Sequence, residues 1–235
     1  MFHKHLIAAV VGLPIALSAY SANAIPVSFS SNGSFANPTG CSAISPACTV
    51  NSGGNRLILG TDMFIFWPVP PYSTLTAVDF GTSTTTPQND IRIGEIDWTN
   101  VPTTNTDKNF NDKYSLALSF TAPGVTTVTS TMNLNIRQPT NPPGDSITQL
   151  VLSALAPFDM TFSGLRVSDV KFVLGDAGSG STFNAATGKW YNPEHNTSKL
   201  YITADFTAVP EPASLAMLGV GLLGLGITRR RQKHA

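Results

Sequence analysis

Between residues 25 and 208 apolar and polar residues trade places with a period of two, and no window of twelve or more residues holds an apolar stripe at 3.6-residue spacing. Met132, Leu134 and Ile136 alternate with Asn133, Asn135 and Arg137. That is the pattern of a half-buried strand, whose successive side chains point to opposite faces. Leu200, Ile202, Ala204 and Phe206 alternate with Tyr201, Thr203 and Asp205 in the same way. In 91–98 the alternation slips. Ile91 and Ile93 share a face, and a bulge or kink near Gly94 would return Ile96 and Trp98 to it. The pattern predicts strands over 27–35, 56–67, 75–80, 90–98, 114–121, 125–137, 147–155, 160–165, 167–174 and 199–207. Stretches at 82–89, 101–113, 138–144 and 175–196 read as connections. The expected fold is all-β: one antiparallel β-sandwich, jelly-roll-like, over 25–208. A chain of that length buries a sizeable core without a second domain.

Both ends depart from this pattern. His3, Lys4 and His5 precede an apolar run over 6–17 that is broken by Gly12 and Pro14, and Ala22-Asn23-Ala24 follows. A basic start, a short apolar stretch and a small-x-small site make 1–24 a signal peptide, cut after Ala24 by signal peptidase. The run is too short to span a bilayer. At the other end Val209, Pro210, Glu211 and Pro212 lead into an apolar run over 213–228, closed by Arg229, Arg230 and Arg231. As a helix that run would be about 24 Å long at 1.5 Å per residue. The hydrocarbon core is about 30 Å, so a transmembrane helix here needs a thinned bilayer or snorkelling arginines. The arginines fix its cytoplasmic end. The chain thus divides into 1–24, an extracellular domain over 25–208, and a tail over 209–235.

Charged residues make up only 12% of the chain, about half of the usual fraction. The body over 25–208 carries nine basic and thirteen acidic residues, a net charge of −4. Nucleic acid is excluded as a partner, because phosphate binding needs a basic patch. Cys41 and Cys48 are the two cysteines, and in an oxidising compartment they read as a local disulfide. No further Cys or His lies nearby to complete a tetrahedral metal site.

Catalytic chemistry is poorly supplied. The body has one histidine, His195, and no nucleophile elbow. Glu95 and Asp97 stand two apart on one predicted strand and so share a face, whereas a glycosidase needs carboxyls flanking the sugar. Glu95 reads as a surface charge or a structural hydrogen-bond acceptor, and no catalytic residue is assigned. No cofactor is expected. Calcium is considered only at Asp176-Ala177-Gly178-Ser179-Gly180-Ser181, which offers a single carboxylate. Trp190 and Tyr191, in the long polar stretch 175–196, are the candidate glycan contacts, since sugars stack on exposed rings.

The tail resembles the PEP-CTERM sorting signal: Val209-Pro210-Glu211-Pro212, a Gly- and Leu-rich apolar run, then an arginine cluster, in that order. The resemblance implies export by a Gram-negative bacterium that makes exopolysaccharide, and processing by exosortase near the Pro-Glu-Pro triplet. It also implies a transient inner-membrane anchor and a destination at the cell surface or outside. The body resembles the choice-of-anchor domains, nearest the K type, through 29–35, 56–60, Ile93-Gly94-Glu95-Ile96-Asp97-Trp98-Thr99-Asn100 and 116–123. Those domains are β-rich and imply no active site. The reading that follows is an exported, non-enzymatic envelope or matrix protein, associated with exopolysaccharide or biofilm. Its alternatives are a carbohydrate-binding module that retains exopolysaccharide, and a polysaccharide-active glycosidase or lyase.

Overall fold

The computed structural model describes residues 25–40, 47–64, 67–69, 72–102, 108–139 and 143–209, with position 219 alone beyond them. Among these, fifteen strands form: β1 (Val27–Thr39), β2 (Ala47–Val50), β3 (Arg56–Phe64), β4 (Trp67–Val69), β5 (Ser73–Val78), β6 (Phe80–Thr85), β7 (Ile91–Asn100), β8 (Lys108–Ala122), β9 (Thr126–Gln138), β10 (Asp145–Thr148), β11 (Met160–Phe162), β12 (Leu165–Ala177), β13 (Thr182–Asn184), β14 (Lys189–Asn192) and β15 (Asn196–Ala208). A 3₁₀ turn, Leu152–Phe158, lies between β10 and β11. The first sheet runs β13-β14-β10-β9-β8-β1-β6 and the second β11-β12-β15-β7-β5-β3-β2, with β4 paired to β3. Every pairing is antiparallel. The fold is all-β and sandwich-like, as the period-two pattern required.

The alternating residues bury where the sequence placed them. Met132, Leu134 and Ile136 of β9 and Leu200, Ile202, Ala204 and Phe206 of β15 lie in the core. Each large one contributes about 1.5–3 kcal/mol of apolar burial. The slip in β7 is a bulge. Ile202 faces Gly94 while Thr203 faces Arg92, so Ile93 is the extra residue. Ile91, Ile93, Ile96 and Trp98 are consequently all buried. Gly94 is required there: a Cβ would sit 2.9 Å from Leu116 of the opposite sheet. Gly33 plays the same part on β1, where a Cβ would meet Ala77 at 2.8 Å.

Several boundaries differ from expectation. The strand expected over 147–155 stops at Thr148, because Gln149 takes a left-handed φ of 72° and the chain leaves the sheet for the 3₁₀ turn. That turn is docked on β9 by the Ser130 hydroxyl, which donates to the Ala154 carbonyl. The strand expected over 56–67 ends at Phe64, and Trp67 opens β4, which pairs back onto it. The connections expected at 82–89 and 101–113 are partly strand, in β6 and β8. The largest correction is 175–196. It is no loop but the end of β12 followed by the β13–β14 hairpin, with Phe183 opposite Trp190.

Candidate functional site: the root of the tail and the ends of the sandwich

The last strand, β15, lies inside the second sheet between β12 and β7. It ends at Ala208, and the next amide, Val209 N–H, donates to the Gly164 carbonyl at 2.8 Å. Ser163 and Gly164, with φ of 45° and 76°, make the two-residue turn between β11 and β12, the left-handed pair that tight hairpins favour. A Cβ on Gly164 would lie 3.6 Å from Ile25 Cδ1 and 3.8 Å from the Val209 carbonyl. Residues 25 and 209 therefore meet at one end of the sandwich. That end is closed by rings: Phe29 packs edge-on to Phe206 at 5.4 Å, and Phe120 lies 4.9 Å from Phe162 and 5.7 Å from Phe206.

The opposite end is closed by indoles and amides. Trp98 and Trp190 meet edge to face at 5.0 Å, both fully buried. Beside them Asn100 Nδ2 donates to the Asn192 carbonyl at 2.8 Å, and Ser73 Oγ donates to Asn100 Oδ1 at 3.1 Å. Asn192 Nδ2 donates to the carbonyls of Trp98 and Asn196, both at 3.2 Å, while its Oδ1 accepts from Ser181 Oγ at 2.7 Å. Asp145 is 1% exposed and accepts from Gln138 Nε2 at 3.0 Å. Burial, with the charge of Glu194 added, pushes its carboxyl up to about 8. His195 is exposed, with a left-handed φ of 61°.

Trp190 is therefore misplaced as a surface contact. It sits on β14, opposite Ile147 and Phe183, with no accessible ring face. Tyr191 is half-buried, and its hydroxyl accepts the Gly144 N–H at 3.2 Å. The aromatic pair that looked free in a polar stretch is a strand with one side chain in the core.

On the outer face of the second sheet Glu95 and Asp97 do share a side. Glu95 is 4% exposed and accepts from Arg92 Nη1 at 3.1 Å and Lys199 Nζ at 2.8 Å; Lys199 also lies 3.5 Å from Asp97 Oδ1. Burial pushes the Glu95 carboxyl up, but Lys199, Asp97 and Arg92 outweigh it and the net shift is down. Burial and then Glu95 push Asp97 up to about 6. The Arg92 guanidinium lies 3.5 Å over the Tyr201 ring, and the Tyr201 hydroxyl reaches Asp176 at 3.3 Å. Two carboxyls on one face sharing one lysine stitch β7 to β15. They do not flank a substrate as glycosidase carboxyls do.

In the segment considered for calcium, Asp176 accepts from the Tyr201 hydroxyl at 3.3 Å and Ser181 donates to Asn192 at 2.7 Å. Among the described residues, the one cluster of potential metal ligands is Asp90, Asp169 and Asp205, whose oxygens lie within 4.8 Å of one another. Lys171 Nζ already sits there, 2.9 Å from Asp90 and 2.6 Å from Asp169, and Asp205 accepts the Asp90 N–H at 2.8 Å. The sequence hid this group because its members are far apart in the chain.

The PEP-CTERM protein-sorting motif matches residues 208–231. The chain carries a PEP-CTERM sorting signal. No curated protein and no solved structure matches the chain. The motif begins at the residue on which β15 ends, so domain and signal abut without a spacer. It implies export, passage through the membrane to a surface or extracellular location, and exosortase as processing partner. Of the PEP-CTERM residues, Ala208, Val209 and Gly219 are described. Pro210, Glu211, Pro212 and Arg229–Arg231 lie outside the described residues, as do the expected signal peptide 1–24 and Cys41. Cys48, on β2, is packed against the core. Among the described residues no helix is long and apolar enough to cross a membrane; the run expected to do so, 213–228, lies outside them except for Gly219.

Proposed function

We propose that this chain is a non-enzymatic display protein of a Gram-negative envelope, held transiently in the inner membrane by 213–228 and released to the surface or matrix by exosortase. The observation that supports it most is the abutment of the PEP-CTERM motif on β15. Cleavage near Pro210–Pro212 removes the anchor and leaves the whole ladder of the last strand intact. Removal of 1–24 by signal peptidase would act at the same end of the sandwich, beside Ile25. In this reading the body is a choice-of-anchor domain, nearest the K type, and works within exopolysaccharide or biofilm. Cys41 and Cys48 form a disulfide that ties β2 to the segment before it. A closed loop of this size stabilises by about 2–3 kcal/mol.

Mass spectrometry of the protein recovered from producing cells should give an N-terminus at Ile25 and a C-terminus within 209–212. Non-reducing peptide maps should join Cys41 to Cys48. An intact Arg229–Arg231 terminus in cells with active exosortase overturns the processing, and two free thiols overturn the bridge.

A further inference from the structure

The outer face of the first sheet is mostly Ser, Thr and Asn, with Lys113 on β8 and Arg137 on β9 among its exposed charges. Ser115 and Thr131 hydroxyls bond at 2.9 Å, Thr127 donates to Ser119 at 3.0 Å, and Asn135 Nδ2 donates to Asn111 Oδ1 at 2.9 Å. Towards one end this face sinks into two adjoining depressions of about 340 and 400 Å³ that share Asn133 and Gln149. Volumes of this size are those of small-ligand sites. The larger crosses β1, β8 and β9, lined by Asn37, Thr39, Asn111, Asp112, Lys113, Asn133 and Gln149. The smaller continues along β9 to Thr131, Val151 and Ser153. Strands lie about 4.8 Å apart, so the trough is about 10 Å across from β1 to β9.

Its two banks are positions of left-handed backbone. Asn37, φ 60°, stands where β1 bulges against β8, and Gln149, φ 72°, where the chain leaves β10. The side-chain amides of Asn37, Asn133 and Gln149 carry no hydrogen bond among the described residues, whereas those of Asn100 and Asn192 at the indole end are fully engaged. Along the Gln149 bank Val151 and Leu152 are exposed, at 41% and 48%. The trough therefore offers uncommitted amides on both banks and at Asn133 on its floor, with an aliphatic ridge on one side. Its ionisable groups among the described residues are the exposed Lys113 ammonium and the Asp112 carboxyl. The neighbouring Asp112 is turned inward and 3% exposed, with Oδ1 accepting the Lys113 N–H at 2.8 Å. Among the described residues the trough gathers no cluster of bases for an anion, and its one carboxyl is 3% exposed.

The geometry points to a binding site for a neutral polysaccharide chain laid across β1, β8 and β9, its hydroxyls on the Asn37, Asn133 and Gln149 amides and a C–H face on Val151. This partner matches the trough's character: rich in amides and hydroxyls, with no cluster of like charge among the described residues, and apolar on one side. Contact through amides and an aliphatic ridge replaces the ring stacking that Trp190 cannot provide.

The test is titration of the full-length chain in detergent with cellohexaose, laminarihexaose and maltohexaose, and with polygalacturonate as the anionic comparator. At least one neutral hexaose should bind. Asn133→Ala combined with Gln149→Gly should weaken that binding at least tenfold, with the melting temperature within a degree or so of the parent. Gly is chosen because it accepts the left-handed backbone. Thr129→Ala, on the same face outside the trough, should leave binding unchanged. The inference is overturned if no neutral hexaose binds at millimolar concentration, if polygalacturonate alone binds, or if the double variant binds as the parent does. None of these results touches the terminal masses that test the sorting.

Discussion

The sandwich is closed by phenylalanines where the tail leaves and by two tryptophans set in an amide network at the far end. The ring end relies on packing, which has no direction: Phe29, Phe120, Phe162 and Phe206 gain wherever they exclude water. The indole end is directional. Asn192 joins β14 to the Trp98 carbonyl on β7, the Asn196 carbonyl on β15 and the Ser181 hydroxyl before β13. Moving any one of these strands leaves a buried amide or carbonyl without a partner, at about 1–3 kcal/mol. The far end thus specifies register between the sheets, and the near end supplies bulk stability beside the anchor.

Truncating a ring at either end tests the comparison most strongly. Phe206→Ala and Trp190→Ala should each cost about 3–5 kcal/mol, read from urea unfolding. A Trp190→Ala chain with the parent midpoint would mean that the amide network stands without its indole. Acidity separates the ends further. Asp145, raised to about 8, and Asp112, raised to about 7, both mainly by burial, hold protons in the folded chain that the unfolded chain has released. An unfolded aspartate titrates near 3.9. The folded state therefore binds more protons between about pH 4 and pH 8, and stability falls as pH rises through that window. The slope is up to about 1.4 kcal/mol per pH unit for each group. Unfolding midpoints should be higher at pH 5.5 than at pH 8.5, and Asp145→Asn should shrink the difference by raising the pH 8.5 value. A parent midpoint that does not change between those pH values breaks this account of the far end. The smallest effect belongs to the near end: Val209→Pro removes the N–H that bonds Gly164 and should cost about 1 kcal/mol. That corresponds to a melting temperature lower by about 2–4 °C.

The near end was more legible than the far end, for a physical reason. Alternation reports burial on a sheet that is wet on one side. It identified β9 and β15 and even the bulge in β7, where an apolar residue out of phase demanded an extra residue. The far end is assembled from Ser73, Asn100 and Asn192, polar residues that alternation assigns to solvent, and they are buried because they bond across the fold, Ser73 to Asn100 over 27 positions and Asn100 to Asn192 over 92. Trp190 was misread for the same reason, since Gly, Ser and Asn around it suggested a loop. The trough amides were equally silent, because Asn37, Asn133 and Gln149 come together only through the β1 bulge and the turn after β10. The sorting signal was legible throughout, being read by another protein as linear sequence.

The position of β15 also decides how the domain answers a pull. It pairs with β12 from Leu165↔Ala208 to Ala177↔Ser198, and with β7 from Ala204↔Ile91 to Asn196↔Asn100. Tension applied at Val209 along the strand axis meets both ladders in shear, so many hydrogen bonds must slip together before the strand moves. Tension at an edge strand such as β6 or β2, paired on one side only within its sheet, would break bonds one after another. A cell that drags on this protein through its tail grips it by a strand clamped on both sides, and the peripheral strands give way first.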